Sequence, residues 1–279
     1  MQPSPPLTRN TIYSTLSTTW LGRRIELFDS IASTNREAIR LAQANVEHGT
    51  VVVADSQSAG RGRLARTWFS PPGSNLYCSA ILKATRPPER LTEWLSWLPL
   101  ISALAAAEAI EAVSSLHVSV KWPNDLLISE RKVGGILCES GAGTGSTPFQ
   151  VIGIGLNVNV EQQDWPEELR ETATSIWREQ QRVVDRNRLL AQLLLELEHC
   201  IEELALHGAS RLSLAYHQRC STIGQRVKAI LANGDLCVGV AEGIGQDGAL
   251  MLRPDETRPG PKKPAILHLR VADIIHVRT

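Results

Sequence analysis

The stretch Lys121–Glu139, KWPNDLLISERKVGGILCE, decides the fold. It reads as two apolar segments, VSVKWPNDLLI from Val118 and KVGGILCES from Lys132, joined by a polar turn at Ser129–Arg131. Short apolar runs bounded by turn residues are the pattern of buried strands. Lys121, Asn124, Asp125 and Lys132 bracket this strand pair, and Gly134–Gly135 leaves the second strand without side chains at one point. A bare strand segment usually means that something packs on its backbone. The competing reading is a plain hairpin with surface lysines and a bulge.

Working outward, TVVVADS, NLYCSAIL and FQVIGIGLNVNV, starting at Thr50, Asn75 and Phe149, read as further strands. TNREAIRLAQAN has helical spacing, and Thr34 followed by Glu37 is a capping-box signature. A long helix is expected over Glu93–Ser114, and an amphipathic one over Leu189–His207, ended by Gly208. MQPSPPLTRN, at the start, reads as a loose tail. After Cys220 the texture changes to short alternating strands with turn signals, among them NGD at Asn233–Asp235 and the Pro-rich TRPGPKKP from Thr257. The expected fold class is α/β (α+β): a mixed sheet with packed helices, then a small β-barrel-like domain. The expected limits are a tail at 1–20, a main domain at 21–220 and a C-terminal domain at 221–279.

The chain has 279 residues, with 29 Lys+Arg against 29 Asp+Glu, and 43% of it is hydrophobic. That balance argues against attachment to nucleic acid or an anionic membrane through an overall field. Cys78, Cys138, Cys200, Cys220 and Cys237 are odd in number and never spaced C-x-x-C, which fits reduced thiols in a cytoplasmic protein. LSWLPLISALAAAEAIEAV, from Leu95, is interrupted by Pro99, Glu108 and Glu111 and reads as a core helix rather than a membrane span.

GRGRLAR, Gly60–Arg66, concentrates three arginines on a glycine-containing backbone with no acidic residue nearby in sequence. Glycine lets the backbone approach a ligand, and arginine forks match phosphate and carboxylate. A solvated basic loop is the plainer alternative. Gly243, Gly245 and Gly248 spell G-x-G-x-x-G, but the strand-like ALMLRP follows where a dinucleotide site needs a helix, so a hairpin turn is expected. The sequence has no P-loop, no zinc-spaced His pair and no nucleophile elbow.

Taken in order, WLGRRIELFDSIASTN, GRGRLARTWFSPPGSNLY, KWPNDLLISERKVGGILCE, IGIGLNVN and the final strands resemble the biotin–protein ligases, also called biotin–[acetyl-CoA-carboxylase] ligases. The resemblance covers nearly the whole chain after residue 20. It implies a catalytic domain like that of class II aminoacyl-tRNA synthetases, followed by an SH3-like barrel. It also implies the reaction: biotin and ATP give biotinyl-5′-AMP and pyrophosphate, and a lysine of a biotin carboxyl carrier protein then takes the biotinyl group. By position, Ser33, Thr34, Asn35 and Gln57 fall where the family holds the ureido ring. Arg61, Gly62 and Arg63 fall in its ligand-closing loop, Lys132 at its active-site lysine and Trp68 at its adenine-stacking tryptophan. Asn124, Asp125, Gly134 and Gly135 belong to the second matching segment, and Asn157 and Arg270 are candidates on the nucleotide side.

On that reading Lys132, Arg61 and Arg63 neutralise the repulsion between carboxylate and α-phosphate. Mg²⁺ serves the triphosphate tail, and no residue is assigned as its ligand. The family pattern has glycine where this chain has Ala65, a departure that bears on how the loop closes. Family members that double as repressors carry an extra N-terminal helix-turn-helix domain of roughly 60 residues, an ordinary module size. Only residues 1–20 precede the matching region here, which predicts a ligase without repressor function and without a nucleic-acid or membrane partner. Homodimerisation is a family-level expectation. A lipoate– or octanoate–protein ligase of the same fold and a nucleic-acid-binding regulator are the alternatives.

Overall fold

The structure, a computed structural model, describes residues 4–83, 91–143, 147–231, 234–255, 266–270 and 272–277, with only the backbone for 91–93. In chain order the elements are α1 (Arg9–Thr15), β1 (Ile25–Ile31), α2 (Thr34–Gln43), β2 (Val51–Gln57), β3 (Leu76–Lys83), α3 (Leu91–Val113), β4 (Ser119–Lys121), β5 (Asp125–Ile128), β6 (Arg131–Ala142) and β7 (Pro148–Leu156). There follow α4 (Ile176–Gln180), α5 (Arg186–His207), α6 (Ser210–Arg219), β8 (Arg226–Leu231), β9 (Leu236–Ile244), β10 (Leu250–Pro254), β11 (Leu267–Leu269) and β12 (Ala272–His276).

The larger sheet is mixed, in the order β1-β2-β3-β7-β6-β5-β4. Only β1 and β2 run parallel, joined through α2; the other neighbours are antiparallel. Strand alternation sends β2 side chains to opposite faces: Val51 and Val53 join the main core under α3 and α5, while Val52 joins Ile81, Phe149 and Val151 under α2. Both faces are therefore covered, which explains the unbroken run VVVA. α3 is apolar nearly all round because it is central; Ala103, Ala105, Ala106, Ala107 and Ala109 are fully buried. Asp185 caps α5 and Gly208 (φ 71°) ends it.

The smaller sheet is antiparallel, in the order β11-β10-β9-β8-β12. Two buried tryptophans bind it to the larger unit: Trp97 Nε1 donates to Gln246 O (2.7 Å) and Trp122 Nε1 to Gly248 O (3.2 Å). Gly243–Gly248 is a turn region, with Gly245 N–H donating to Ala249 O (2.8 Å) between β9 and β10. Gly234 (φ 86°) turns β8 into β9; Asn233 and the TRPGPKKP segment lie outside the described residues.

Several expectations change. The N-terminal segment is not wholly a loose tail: Thr8 caps α1, and Ile12 is fully buried. The N-cap of α2 is Ser33 rather than Thr34, which moves Glu37 out of the capping-box position; Glu37 pairs instead with Arg40 (2.5 Å). VSVKWPNDLLI is two strands, not one, because Pro123 cannot donate to a ladder and the chain turns at Trp122–Asn124. β1, α4 and α6 were not anticipated. β1 is an edge strand with only partial burial, so its alternation is weak.

Candidate functional site

The N-terminus of α2 meets β3, β6 and β7 at a buried polar floor. Thr34 N–H and its hydroxyl donate to Gln57 Oε1 (2.9 and 3.2 Å), and Gln57 Nε2 donates to Ser70 Oγ (3.0 Å). The Ser79 hydroxyl donates to Asn35 Oδ1 (2.6 Å) and lies 2.8 Å from the Thr34 hydroxyl. Asn35 Nδ2 donates to Leu137 O (3.1 Å) and Glu139 Oε2 (2.8 Å). Ser33 is 2% exposed, and its side chain makes no capping hydrogen bond, so this hydroxyl is not consumed by the helix.

Glycines make room for these groups. A Cβ on Gly153 would overlap the Asn35 amide, and one on Gly155 would come within 2.6 Å of Trp68 Nε1. The two candidate glycines of β6 differ. The β5–β6 register shifts by one residue, pairing Leu126 with Gly134 but Leu127 with Lys132. This bulge leaves Val133 fully buried and brings Lys132 to the face of Gly135, whose Cβ would lie 3.3 Å from Lys132 Cε. Gly134 faces the core instead, where a Cβ would meet Leu156 and Leu126 at 2.7 and 2.8 Å. The structure therefore gives Gly135 to the cavity and Gly134 to packing.

Above the floor, a cavity of about 1800 Å³ opens between the two sheets. Lys132 Nζ bonds Asp125 Oδ1 (2.6 Å) and lies 5.4 Å from the centre of the Trp68 ring. Trp68 Nε1 is buried without a hydrogen-bond partner among the described residues. Asn157 Nδ2 donates to Lys132 O (3.2 Å), fixing the backbone behind that lysine. Lys121 also lines the cavity; burial lowers its pKa, with Asp125 opposing that shift and Lys132 adding to it.

GRGRLAR is not an unpaired basic loop. Arg61 forms an ion pair with Glu139, and Arg66 with Asp273 of β12. Arg63 donates to Asn124 Oδ1 (3.1 Å) and Ala272 O (3.3 Å). Burial lowers the Arg63 pKa, while Asp273 and Asp125 oppose that shift. Locally, Trp68 N–H returns to Gly60 O (3.0 Å) and Gly62 N–H to Arg66 O (2.7 Å). Between them Leu64 and Ala65 take left-handed φ of 53° and 59°.

The cavity thus gathers Ser33, Thr34, Asn35, Gln57, Arg61, Gly62, Arg63, Trp68, Asn124, Asp125, Lys132, Gly135 and Asn157 of the expected set. It does not gather Arg270, which pairs with Asp247 (2.8 Å) outside the cavity lining. Sequence reading missed Ser79, Glu139 and Asp273. Glu139 stands two residues beyond Leu137 on β6, a spacing that could have found it; Asp273 has no comparable signal. The five cysteines are free, and burial pushes the Cys78, Cys138 and Cys200 thiols up to about 12, which disqualifies them as nucleophiles.

Residues 27–159 match the Biotin/lipoate A/B protein ligase family and residues 222–276 the biotin protein ligase C-terminal domain. The chain is 36% identical over 248 residues to the bifunctional ligase/repressor BirA of Bacillus subtilis, covering 89% of this chain and 74% of that one. It is 32% identical over 250 residues to the biotin–[acetyl-CoA-carboxylase] ligase of Mycobacterium tuberculosis, covering 89% and 90%. The biotin protein ligase of Aquifex aeolicus, solved with biotin and ATP, superposes with a TM-score of 0.76 at 26% identity, covering 91% of this chain and all of that one. With both segments matched in order and the expected floor, lysine and loop meeting in one cavity, this chain belongs to the biotin protein ligase family.

Proposed function

We propose that the protein joins biotin to ATP, giving biotinyl-5′-AMP and pyrophosphate, and passes the biotinyl group to a lysine of a carrier protein. That carrier is the biotin carboxyl carrier protein of acetyl-CoA carboxylase or of a related biotin-dependent carboxylase. The observation that carries this reading is the floor: a buried, polar, hydrogen-bonded receptor beside a cationic wall. A ureido ring offers both donors and an acceptor to Ser33, Thr34, Asn35 and Gln57. The dithiolane of lipoate offers neither, so it could exchange no hydrogen bonds with this polar floor and would only displace water from it. The floor therefore favours biotin over lipoate or octanoate.

The ring seated there points the biotin carboxylate toward Lys132 and Arg63. These cations neutralise the charge that gathers as the carboxylate oxygen attacks the α-phosphorus and pyrophosphate leaves. Trp68, Asn124, Asp125 and Asn157 border the nucleotide side. Mg²⁺ arriving with ATP would neutralise the triphosphate, and Asp125 is a cavity carboxylate of the kind that joins phosphate oxygens and waters around this ion. The loop excludes water from the mixed anhydride until the acceptor lysine arrives. Its arginines meet acceptors within the protein rather than forming an outward basic stripe, which disfavours the nucleic-acid regulator. Buried free thiols fit a cytoplasmic location. Homodimerisation remains a family-level proposal.

The test is ATP-dependent pyrophosphate release. It should rise with biotin and stay at background with lipoate. Release with lipoate alone would move the assignment to the other branch of the family.

A further inference from the structure

The three arginines of the loop are held differently. Arg61 and Arg66 each meet a carboxylate, so their charges are matched. Among the described residues Arg63 donates only to neutral acceptors, the Asn124 amide oxygen and the Ala272 carbonyl, while Asp273 and Asp125 act on its charge without a direct ion pair. Arg63 is therefore the arginine not consumed by a direct ion pair and free to turn to an anion in the cavity, and the outer two fasten the loop at its ends.

The fastening at Arg66 comes from the C-terminal sheet. β12 pairs with β8 through Ala272↔Leu231, Asp273↔Ile230 and Ile274↔Ala229. Ala272 and Ile274 are buried on the core side of that pair, so strand alternation turns Asp273 the other way, toward the loop. The Asp273 side chain is only 14% exposed. The next residue back supplies its carbonyl to Arg63, so consecutive residues of one strand grip both arginines. Within the loop, Arg66 N–H bonds Arg63 O (3.1 Å), which ties the position of Arg63 to that of Arg66.

We infer that Asp273 is a positioning residue for adenylation: by holding Arg66 it sets Arg63 over the reacting phosphate, and so makes the C-terminal sheet part of the closed site. The inference rests on the proposed biotin–ATP reaction. It concerns chiefly the adenylate and nucleotide side, since the floor that takes the ring lies on the other sheet.

The experiment compares the full-length parent with Asp273→Asn and Arg66→Ala, measuring release of preformed biotinyl-5′-AMP, KM for ATP, kcat for pyrophosphate formation and the Kd for biotin alone. Each variant should release the adenylate about tenfold faster and raise the KM for ATP, as expected for loss of a charge-assisted contact. Biotin affinity should fall much less, by no more than the amount by which biotin alone stabilises the closed loop. The conservative Asp273→Glu, which keeps the charge, should lose much less. Retention of the adenylate at the parental rate by both Asp273→Asn and Arg66→Ala would overturn the inference, as would an Asp273→Glu variant no better than Asp273→Asn. A parent that forms no adenylate would instead defeat the proposed function, so the two failures are distinguishable.

Discussion

The cavity floor and the loop above it both depend on polar side chains, yet they differ in what holds them. In the floor, Thr34, Asn35 and Ser79 are at most 4% exposed, and their bonds join a helix to strands β3 and β6. In the loop, the Arg61 and Arg66 side chains are 37% and 68% exposed and are held by single ion pairs. Leaving a buried polar group unpaired costs about 1–3 kcal/mol, whereas an exposed ion pair contributes about 0.2–1 kcal/mol. The floor is accordingly a fixed receptor, and the loop a closure whose closed form is weakly held until a ligand adds to it.

The sharpest way to break this division is at Lys132, which belongs to neither part and faces both. Lys132→Ala should reduce adenylation by about 10²–10³, the usual cost of removing a preorganised charge, while thermal unfolding stays close to the parent. Near-normal pyrophosphate release would show that the wall is not electrostatic.

A smaller effect separates floor from loop. Gly153→Ala drives a methyl into the Asn35 amide, and overpacking of this kind costs about 1–3 kcal/mol. Biotin affinity measured by calorimetry should fall by about tenfold or more, with little change in how fast protease cuts the loop. Arg63→Ala should do the reverse, releasing adenylate about tenfold faster with a much smaller loss of biotin affinity, since a charge-assisted fork is lost.

The smallest effect is at Ala65. Its φ of 59° lies where a β-carbon costs about 1–2 kcal/mol and glycine costs nothing. Part of the relief in Ala65→Gly is offset by the greater freedom of glycine in the open loop. The variant should raise the unfolding midpoint slightly and slow loop cleavage up to a few-fold; faster cleavage would show that alanine's stiffness outweighs its strain.

These two regions also differ in how far they could be read from sequence. The elements under the floor were largely legible because their determinants are short: a helix start near Thr34, the apolar run of β2 and the glycine pair on β6. That Ser33, Thr34, Asn35 and Gln57 form a ligand site followed only from the family resemblance, and Ser79 and Glu139 were missed. The bulge at Val133 was not legible. A shift of one residue reverses which glycine faces the cavity, and no local signal announces it. The loop's composition was legible but its partners were not. Arg63 meets Asn124 at a separation of 61 residues, a contact made only once the larger sheet has formed, and Arg66 meets Asp273 at 207, a contact made only when the two sheets pack together. Arg270 shows the converse: close in sequence to β12, it turns to Asp247 outside the cavity lining.

The central claim, a fixed floor under a ligand-dependent loop, is tested most directly by limited trypsin digestion. Without ligand, cleavage should begin after Arg61, Arg63 or Arg66, ahead of other sites in residues 21–220, because the loop's contacts are few and exposed. Biotin should slow that first cut, and biotin with ATP should slow it further, because the adenylate stabilises the closed form in proportion to RT ln(1 + [L]/Kd). A first cut at this loop whose rate does not change with either addition would contradict the account and return GRGRLAR to the status of an ordinary surface loop.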